Sequence, residues 1–297
     1  MNPALRKRLD ALLSDSYAEP LWPDPLAVVR EYETEADIEA MGLVCSGLAY
    51  GRVEQIAASL RKLQEALGPH PAEFVAETDP HALLGTLAGF KHRFTTGEDI
   101  AALLFITNGM RDAAGSVGGF FAQGYAKGDM RASLGSFVRR ALTMPVGPCY
   151  GGAGLPEGAG VLYLLPSPEG GSACKRLNLY LRWMVRGPDG RDLGLWRDLV
   201  DTSDLIVPLD THIARIGRAL GLTQRKTADW KMAEEITASL ARFDPGDPVR
   251  YDFPLARLGI MDRCPTRPDA TLCAACSLRG FCALRAPGTP AEAGRDR

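Results

Sequence analysis

The sequence has no run of apolar residues long enough to cross a bilayer, since a spanning helix needs about 20 of them. Its N-terminal stretch, "MNPALRKRLDALLSDSY", is amphipathic and lacks the apolar core and small-residue cleavage site of a signal peptide. These absences predict a cytoplasmic protein that does not act at a membrane. In a reducing compartment, clustered cysteines bind metals more often than they form disulfides.

A strong net charge is also absent. Lys and Arg number 34 against 36 Asp and Glu, which gives a formal net charge of −2. A chain that binds nucleic acid through its overall charge is basic, so any DNA-binding face must be local. The candidate stretches are residues 175–186, residues 214–226 and the pair Arg139 and Arg140.

The sequence has little strand character, and "GVLYLL" is the only convincing strand run. Leucines at helical spacing predict a helix up to about Tyr17, and two more helices are predicted within residues 37–67. Glycine-rich sequence over residues 115–160 predicts a long loop. Asp210 stands at an N-cap position and Gly221 at a C-terminal one, which predicts a helix between them.

Four of the seven cysteines lie close together in "CPTRPDATLCAACSLRGFC". Cys264, Cys273, Cys276 and Cys282 are separated by eight, two and five residues, so the stretch contains one CxxC pair. Structural zinc commonly uses two such pairs, whereas thiolates from one short loop can surround an iron–sulfur cluster. The spacing leaves three interpretations open: an iron–sulfur cluster, a zinc ion, or four thiols without a metal.

This spacing resembles the C-terminal cluster loop of the endonuclease III family of helix-hairpin-helix DNA glycosylases. The first gap departs from the family pattern, because it is two residues longer here; a loop accommodates such an insertion easily. The resemblance implies that Cys264, Cys273, Cys276 and Cys282 bind a [4Fe–4S] cluster with a structural role. It also implies an all-α, two-lobed fold.

Two further segments resemble the catalytic segments of that family. "VPLDTHIARIGRALGL" is similar to its Val-Asp-Thr-His segment, and "LLPSPEGGSACKRLN" resembles a degenerate helix-hairpin-helix that ends in a lysine. The resemblance implies that Asp210 and Lys175 are catalytic. A neutral lysine amine can attack C1′ of the sugar and form a Schiff base. A carboxylate can stabilise the positive charge that develops on the sugar as the base departs.

Both residues also have a plainer interpretation. Lys175 shares a helix face with Asn178, Arg182 and Arg186, and a polar face of this kind is usually solvated. Asp210 can serve as an N-cap alone, a role worth roughly 1 kcal/mol. The hairpin lacks the Gly-x-Gly signature, which leaves its capture of phosphate by backbone N–H groups open.

The segment "SGLAYGR" is similar to the loop that relatives insert into the duplex. The resemblance implies that Leu48 or Tyr50 fills the gap left by a flipped base and that Arg52 contacts phosphate. Arg225 and Lys226 are further candidates for phosphate contact. Alternatively, Tyr50 packs against a core and Arg52 is solvated. The aromatic residues considered for holding a flipped base are Trp183, Trp196, Trp230, Phe120 and Phe121.

The resemblance divides the chain into two domains. A helical barrel with the degenerate hairpin spans residues 26–204, and an iron–sulfur domain combines residues 1–25 with 205–297, of which 285–297 are expected to be disordered. The implied function is that of a monomeric DNA glycosylase that flips a damaged or modified base from duplex DNA and cleaves its N-glycosidic bond. A Schiff-base lyase step through Lys175 is an added expectation. The alternative is a non-catalytic nucleic-acid-binding or damage-sensing protein that keeps the scaffold and the cluster.

Overall fold

The computed structural model describes residues 2–152 and 154–284, so the expected disorder of residues 285–297 lies outside the described residues. With 57% helix and 1% strand, it confirms the all-α prediction. The chain forms two compact units. We call Leu21–Asp204 the central unit, and Met1–Pro20 with Leu205–Arg297 the terminal unit. In the part of the chain that is described, no helix is long and apolar enough to cross a membrane.

The central unit begins at Leu21, ahead of the boundary at residue 26 inferred from the sequence. The carboxylate of Asp24 accepts a hydrogen bond of 2.9 Å from the backbone N–H of Leu26. The Trp22 ring packs under the guanidinium of Arg61, at 5.2 Å from the ring centroid. Both contacts attach this short segment to the central unit.

The central unit is built from short and medium helices with one small antiparallel ribbon. Its elements in chain order are α2 (Leu26–Val29), α3 (Glu35–Gly47), α4 (Val53–Leu67), α5 (Pro71–Glu77), α6 (Pro80–Thr86), β1 (Lys91–His92), β2 (Thr95–Thr96), α7 (Gly97–Ala114), α8 (Val117–Ala122), α9 (Met130–Ala141), α10 (Val161–Leu164) and α11 (Lys175–Val185).

The terminal unit combines a helix that precedes the central unit with helices that follow it. Its elements are α1 (Pro3–Tyr17), α12 (Thr211–Ala219), α13 (Trp230–Ala241), α14 (Asp252–Ile260) and α15 (Ala270–Ala275). The predicted helices at the N-terminus and after Asp210 are both present. The hydroxyl of Tyr251 donates to Asp10 of α1 at 2.6 Å, and Glu19 pairs with Arg257 at 2.9 Å. These bonds hold α1 against the C-terminal half of the unit.

Helices α3 and α11 form the core of the central unit. Every residue of α11 after Lys175 is buried, as are most residues of α3, which is the pattern of a helix covered on all sides. Gly42 permits this close approach, because a Cβ there would lie 2.5 Å from the Met184 side chain and 3.0 Å from Tyr180. The Tyr180 hydroxyl completes the contact by donating to the carbonyl oxygen of Glu39 at 3.0 Å.

The solvated polar face considered for α11 is wrong. Asn178 and Arg182 are only 1% and 3% exposed. The loop after α11 folds back and brings Asp192 to Arg182 at 3.3 Å and to Arg186 at 3.0 Å. Burial raises the pKa of Asp192, and the two arginines oppose that rise. Helical periodicity alone could not anticipate this burial, because the neutralising carboxylate lies on a loop.

Two local predictions are also corrected. The glycine-rich stretch is not one loop, since α8 and α9 lie within it. Ser116 and Asp129 cap the two helices by accepting hydrogen bonds from Gly119 and Ala132 N–H groups. The predicted strand "GVLYLL" contains α10 instead. Caps and tertiary packing therefore override the glycine and β-branched signals here.

One buried carboxylate connects three parts of the central unit. Glu39 of α3 accepts the N–H groups of Val117 and Gly118 at 2.9 and 2.8 Å, so it caps α8. It also accepts the indole N–H of Trp196 at 2.7 Å. Burial raises the pKa of Glu39, and these three donors oppose the rise. The donors satisfy a group whose burial without partners would be costly.

Candidate functional site

Lys175 begins α11, and its side chain is partly buried. Cys174 precedes it in a left-handed conformation, with φ of 47°. The Nζ atom donates to the carbonyl oxygen of Ala49 at 2.9 Å. Ala49 follows the C-terminal end of α3, where backbone carbonyls carry partial negative charge. The segment 47–50 therefore positions the amine.

The neighbouring Arg176 is a nearly buried cation, 9% exposed. Its Nη1 donates to the carbonyl oxygen of Gly47 at 3.1 Å, and its Nη2 donates to that of Tyr163. The guanidinium carbon lies 4.0 Å from the ring centroid of Tyr163 and 5.3 Å from that of Tyr50. Among the described residues, no carboxylate forms an ion pair with Arg176. Its positive charge is balanced only by carbonyl dipoles and aromatic faces.

The hairpin before Lys175 contains a short 3₁₀ turn, Pro168–Gly170. The N–H groups of Glu169, Gly171 and Cys174 are all bonded within the hairpin, at 3.0–3.2 Å. The carboxylate of Glu169 pairs with Arg139 of α9. A phosphate approaching this turn would thus meet a carboxylate and N–H groups that already have acceptors.

The loop between α3 and α4 carries three residues proposed from the sequence. Leu48 is fully buried, 0% exposed, which removes it from the residues able to contact DNA in this structure. The hydroxyl of Tyr50 donates to His92 O at 2.9 Å and bonds with Thr95 Oγ1 at 2.8 Å, so Tyr50 ties the loop to the ribbon. Arg52 is exposed at the N-cap of α4.

The β1–β2 ribbon presents an exposed aromatic residue that the sequence analysis did not select. Its two-residue turn holds Arg93, with φ of 55°, and Phe94, which is 72% exposed. The Arg93 guanidinium lies 5.5 Å from the Phe94 ring centroid and 6.0 Å from that of Tyr50. The run "KHRF", with basic residues directly before an aromatic one, was the available sequence signal.

A buried histidine anchors this ribbon. The Nε2 atom of His92 bonds with the carbonyl oxygen of Tyr50 at 2.9 Å, and its Nδ1 bonds with the Ser59 hydroxyl at 2.8 Å. Burial lowers the pKa of His92. The partners suit a neutral ring with its proton on Nε2, since a carbonyl can only accept. The turn with Phe94 is consequently mounted on a fixed base.

The aromatic residues considered earlier as holders of a flipped base are all core residues. None is more than 3% exposed: Trp183, Trp196, Trp230, Phe120 and Phe121. Tyr163 is different, because its ring is 47% exposed. It meets Tyr50 edge-on, with ring centroids 5.4 Å apart.

Asp210 is the N-cap of α12 and accepts a 2.8 Å hydrogen bond from Ile213 N–H through its Oδ1. Its Oδ2 accepts no hydrogen bond from the residues that the structure describes. Asp210 is therefore an N-cap, as its plainer interpretation holds. Its second carboxylate oxygen remains able to accept a hydrogen bond from another partner. His212 packs on Gly259, where a Cβ would lie 2.1 Å from the ring Nδ1.

The four clustered cysteines line one pocket of the terminal unit. Its volume is about 520 Å³, including the part open to solvent. Cys264, Cys273, Cys276 and Cys282 are all partly buried, and burial raises the pKa of Cys276 and Cys282. Within residues 2–152 and 154–284, no three His, Cys, Asp or Glu side chains converge closely enough to hold one metal ion.

Arg215 of α12 contacts this pocket directly. Its Nη1 donates to Cys264 Sγ at 3.0 Å and to Pro265 O at 3.1 Å, and its Nη2 donates to Cys264 O at 2.5 Å. The guanidinium also opposes the rise in the pKa of Cys282. Helix α12 therefore carries Asp210 at its start and a cysteine-binding arginine further along.

The two basic residues proposed after α12 differ in their surroundings. Arg225 forms a two-bond pair with Asp229, at 2.9 and 3.3 Å. Lys226 is exposed. A phosphate would have to compete with Asp229 for Arg225.

A family model described as "Protein of unknown function (DUF2400)" matches residues 24–261. The chain belongs to this family. The matched range ends before Cys264, so the four clustered cysteines lie outside it, whereas Arg215, which contacts their pocket, lies inside it. Neither the curated proteins nor the solved structures include a match.

Proposed function

We propose that this protein is a DNA glycosylase that removes a damaged or modified base, with Asp210 as the carboxylate that stabilises the sugar cation. The observation that carries the proposal is the arrangement along α12. Asp210 caps the helix with one oxygen and keeps the other available, while Arg215 of the same helix binds Cys264. A carboxylate on a helix fixed at both places is preorganised for charge stabilisation.

Lys175 is the proposed nucleophile of an additional lyase step. Its amine is partly buried and directed by the Ala49 carbonyl, next to the buried charge of Arg176. The neutral form of a lysine amine is the one that attacks a sugar carbon. Attack at C1′ forms a carbon–nitrogen bond as the bond to the base breaks, and the base departs with a proton. Breaking the C1′–O4′ bond then opens the sugar ring, O4′ takes a proton, and C1′ and the lysine nitrogen are left as a Schiff base.

The proposed cofactor is a [4Fe–4S] cluster in the terminal unit. Four cysteine thiolates are the donor set of such clusters, and all four cysteines line the same pocket. Cys264, Cys273, Cys276 and Cys282 would hold it, with Arg215 hydrogen-bonded to the first. When bound, the cluster would cross-link a segment that has one short helix, α15, and little apolar core.

The surface proposed to contact DNA is formed by the tip of the ribbon and the start of α4. It contains the exposed residues Lys91, Arg93, Phe94 and Arg52. Gly51 brings the two segments together, since a Cβ there would lie 3.0 Å from the Arg93 side chain. Basic side chains supply phosphate contacts, and an exposed ring can stack on bases. This local surface meets the requirement set by the net charge of −2.

A second function is favoured by the hairpin. The N–H groups of Glu169, Gly171 and Cys174 are bonded within the hairpin, and Glu169 stands at the turn, so the turn is poorly suited to bind a phosphate. A protein with such a hairpin can bind damaged nucleic acid without cleaving it. We therefore retain a non-catalytic damage-binding protein as the alternative.

Base release and borohydride trapping on a panel of damaged duplexes distinguish the two functions. Anaerobically purified protein should contain iron and sulfide at about four each per chain. Asp210→Asn keeps the helix cap, because Asn caps as well as Asp, yet base release should fall by about a hundredfold or more. Lys175→Gln should abolish the trapped adduct and leave some base release. Retention of full excision by Asp210→Asn would contradict the proposed role of Asp210.

Absence of base release and of adduct on every substrate, together with tight binding to one of them, would instead support the alternative. Zinc without iron in protein made with ample iron would contradict the proposed cluster while leaving the glycosylase proposal standing.

A further inference from the structure

The half-exposed ring of Tyr163 lies against a buried cation, the guanidinium of Arg176. Tyr163 is one of the exposed large hydrophobic side chains of the central unit, with 47% of its surface accessible. The guanidinium of Arg176 lies over its ring at 4.0 Å, and Tyr50 supports it edge-on at 5.4 Å. Arg176 also bonds to the Tyr163 carbonyl oxygen. The ring is thus held in place from behind, with its remaining surface open.

Residues 47–50 position both Tyr163 and Lys175, the proposed nucleophile. They act on Tyr163 through Arg176. Gly47 O accepts from Arg176, and Ala49 O accepts from Lys175. Tyr50 follows directly and contacts both Arg176 and Tyr163. The segment 47–50 thus connects the Tyr163 ring to the lysine, and a base attached to the reacting sugar would need a surface in this part of the central unit.

The charge behind the ring has a consequence for selectivity. A guanidinium remains protonated in proteins, and the described residues provide no carboxylate that pairs with Arg176. Its field therefore extends through the tyrosine ring to anything stacked on the other side. A base at stacking distance would lie about 7 Å from the charge. At that separation, with an effective dielectric constant near 20, a second positive charge is disfavoured by roughly thirtyfold or more.

We propose that an extruded nucleobase stacks on Tyr163, and that Arg176 behind the ring makes the site select neutral bases over cationic, alkylated ones. This inference rests on the proposed glycosylase function and adds the substrate class to it. Oxidised or deaminated bases are neutral and belong to the accepted class. Purines alkylated at N3 or N7 carry a positive charge and belong to the rejected class.

The test uses binding, so that it does not depend on catalysis. Two duplexes carry 2′-fluoroarabino nucleotides, which resist cleavage of the glycosidic bond; one bears 8-oxoguanine, which is neutral, and the other 7-methylguanine, which is cationic. Affinity is measured by fluorescence anisotropy relative to an undamaged duplex at fixed salt. We expect the neutral lesion to be favoured over the cationic one by about tenfold or more. Equal affinity, or preference for the cation, would overturn the inference.

Two variants separate the ring from the charge. Tyr163→Ala removes a half-exposed ring and should lower affinity for the neutral lesion by about tenfold, whereas Tyr163→Phe should keep it. Arg176→Met should remove the discrimination between the two lesions, and Arg176→Lys should retain most of it. Unchanged lesion affinity in Tyr163→Ala would overturn the stacking role, even if Arg176→Met fails to fold.

Failure of the inference and failure of the proposed function give different results. A protein that excises cationic bases from ordinary damaged duplexes is a glycosylase without this selectivity. A protein that shows the predicted lesion discrimination and yet releases no base has the stacking site without the reaction.

Discussion

The two ends of α11 bury positive charge in different ways. At the C-terminal end, Arg182 and Arg186 are paired with Asp192, which comes from the loop that follows the helix. At the N-terminal end, Arg176 is buried against carbonyl oxygens and two tyrosine rings. Charges that serve structure are normally neutralised by a partner. We therefore expect a ligand to bind near the N-terminal end of α11, where the described residues give Arg176 no carboxylate partner.

The largest effect should come from removing a charge at the paired end. Arg182→Met removes one of the two guanidinium partners of the buried Asp192 and leaves only Arg186, which should lower the free energy of unfolding by up to about 3–5 kcal/mol. Urea denaturation followed by tryptophan fluorescence measures this, because Trp183 and Trp196 lie in the same core. A loss below about 1 kcal/mol would mean that the pair is not a structural requirement.

The matched substitution at the other end should cost less. Arg176→Met leaves two carbonyl oxygens without a donor but strands no buried carboxylate, so we expect a loss of about 1–3 kcal/mol. The same urea experiment gives the value, with Arg182→Met as the reference for a methionine on the same helix. A larger loss of unfolding free energy in Arg176→Met than in Arg182→Met would contradict the proposed difference between the two ends of α11.

Lowering the pH should reduce the free energy of unfolding through His92. This residue bonds to the backbone of Tyr50, which contacts Arg176 at the N-terminal end of α11. Burial holds the pKa of His92 below its ordinary value of 6.5, so the unfolded chain binds a proton more readily than the folded one. The stabilising contribution of neutral His92 is complete above about pH 6.5 and declines as the pH falls toward the lower folded pKa. The slope is at most about 1.4 kcal/mol per pH unit.

Unfolding free energies from pH 7.5 down to 5 would reveal this slope, and His92→Gln should reduce it. The exposed His81 gives a control, since His81→Gln should leave the slope unchanged. An unchanged slope in His92→Gln would assign the pH dependence to other groups.

The smallest effect on stability is expected at the ribbon tip. Phe94 is 72% exposed, so Phe94→Ala should change the unfolding free energy by no more than about 0.5 kcal/mol. Affinity for duplex DNA should nevertheless fall by about tenfold, because a stacking ring is lost. Phe94→Tyr is the matched control and should bind normally. Unaltered DNA affinity in Phe94→Ala would remove the ribbon from the proposed interface.

The sequence predicted those features that depend on interactions between residues close together in the chain. The helix after Asp210 follows from a side chain that bonds to its own helix at Ile213. The four cysteines singled out by their spacing line one pocket, and their role as cluster ligands stays a prediction. Burial of Arg182 was not predictable in this way, since its neutraliser is a loop residue ten positions along the chain.

The features that the sequence did not predict depend on contacts between residues far apart in the chain. Leu48 lies in a loop-like sequence but is buried in the core. Ser116 caps α8 locally, but Glu39, which also accepts N–H groups at the start of α8, is 78 residues away from Val117. The ribbon depends on bonds between Tyr50 and His92, 42 residues apart. No periodicity within a short window carries information about such partners.

The discontinuous terminal unit has a consequence for synthesis on the ribosome. Asp10 and Glu19 bond to Tyr251 and Arg257, at sequence separations of 241 and 238 residues. At roughly 5–20 residues per second, α1 therefore waits on the order of 10 seconds or more for these partners. The whole central unit emerges during that interval and can complete its own core. Meanwhile the leucine face of α1 has no native partner. A ribosome-associated chaperone that covers this face, or slow translation of the codons near Tyr251 and Arg257, would therefore change the yield of folded protein.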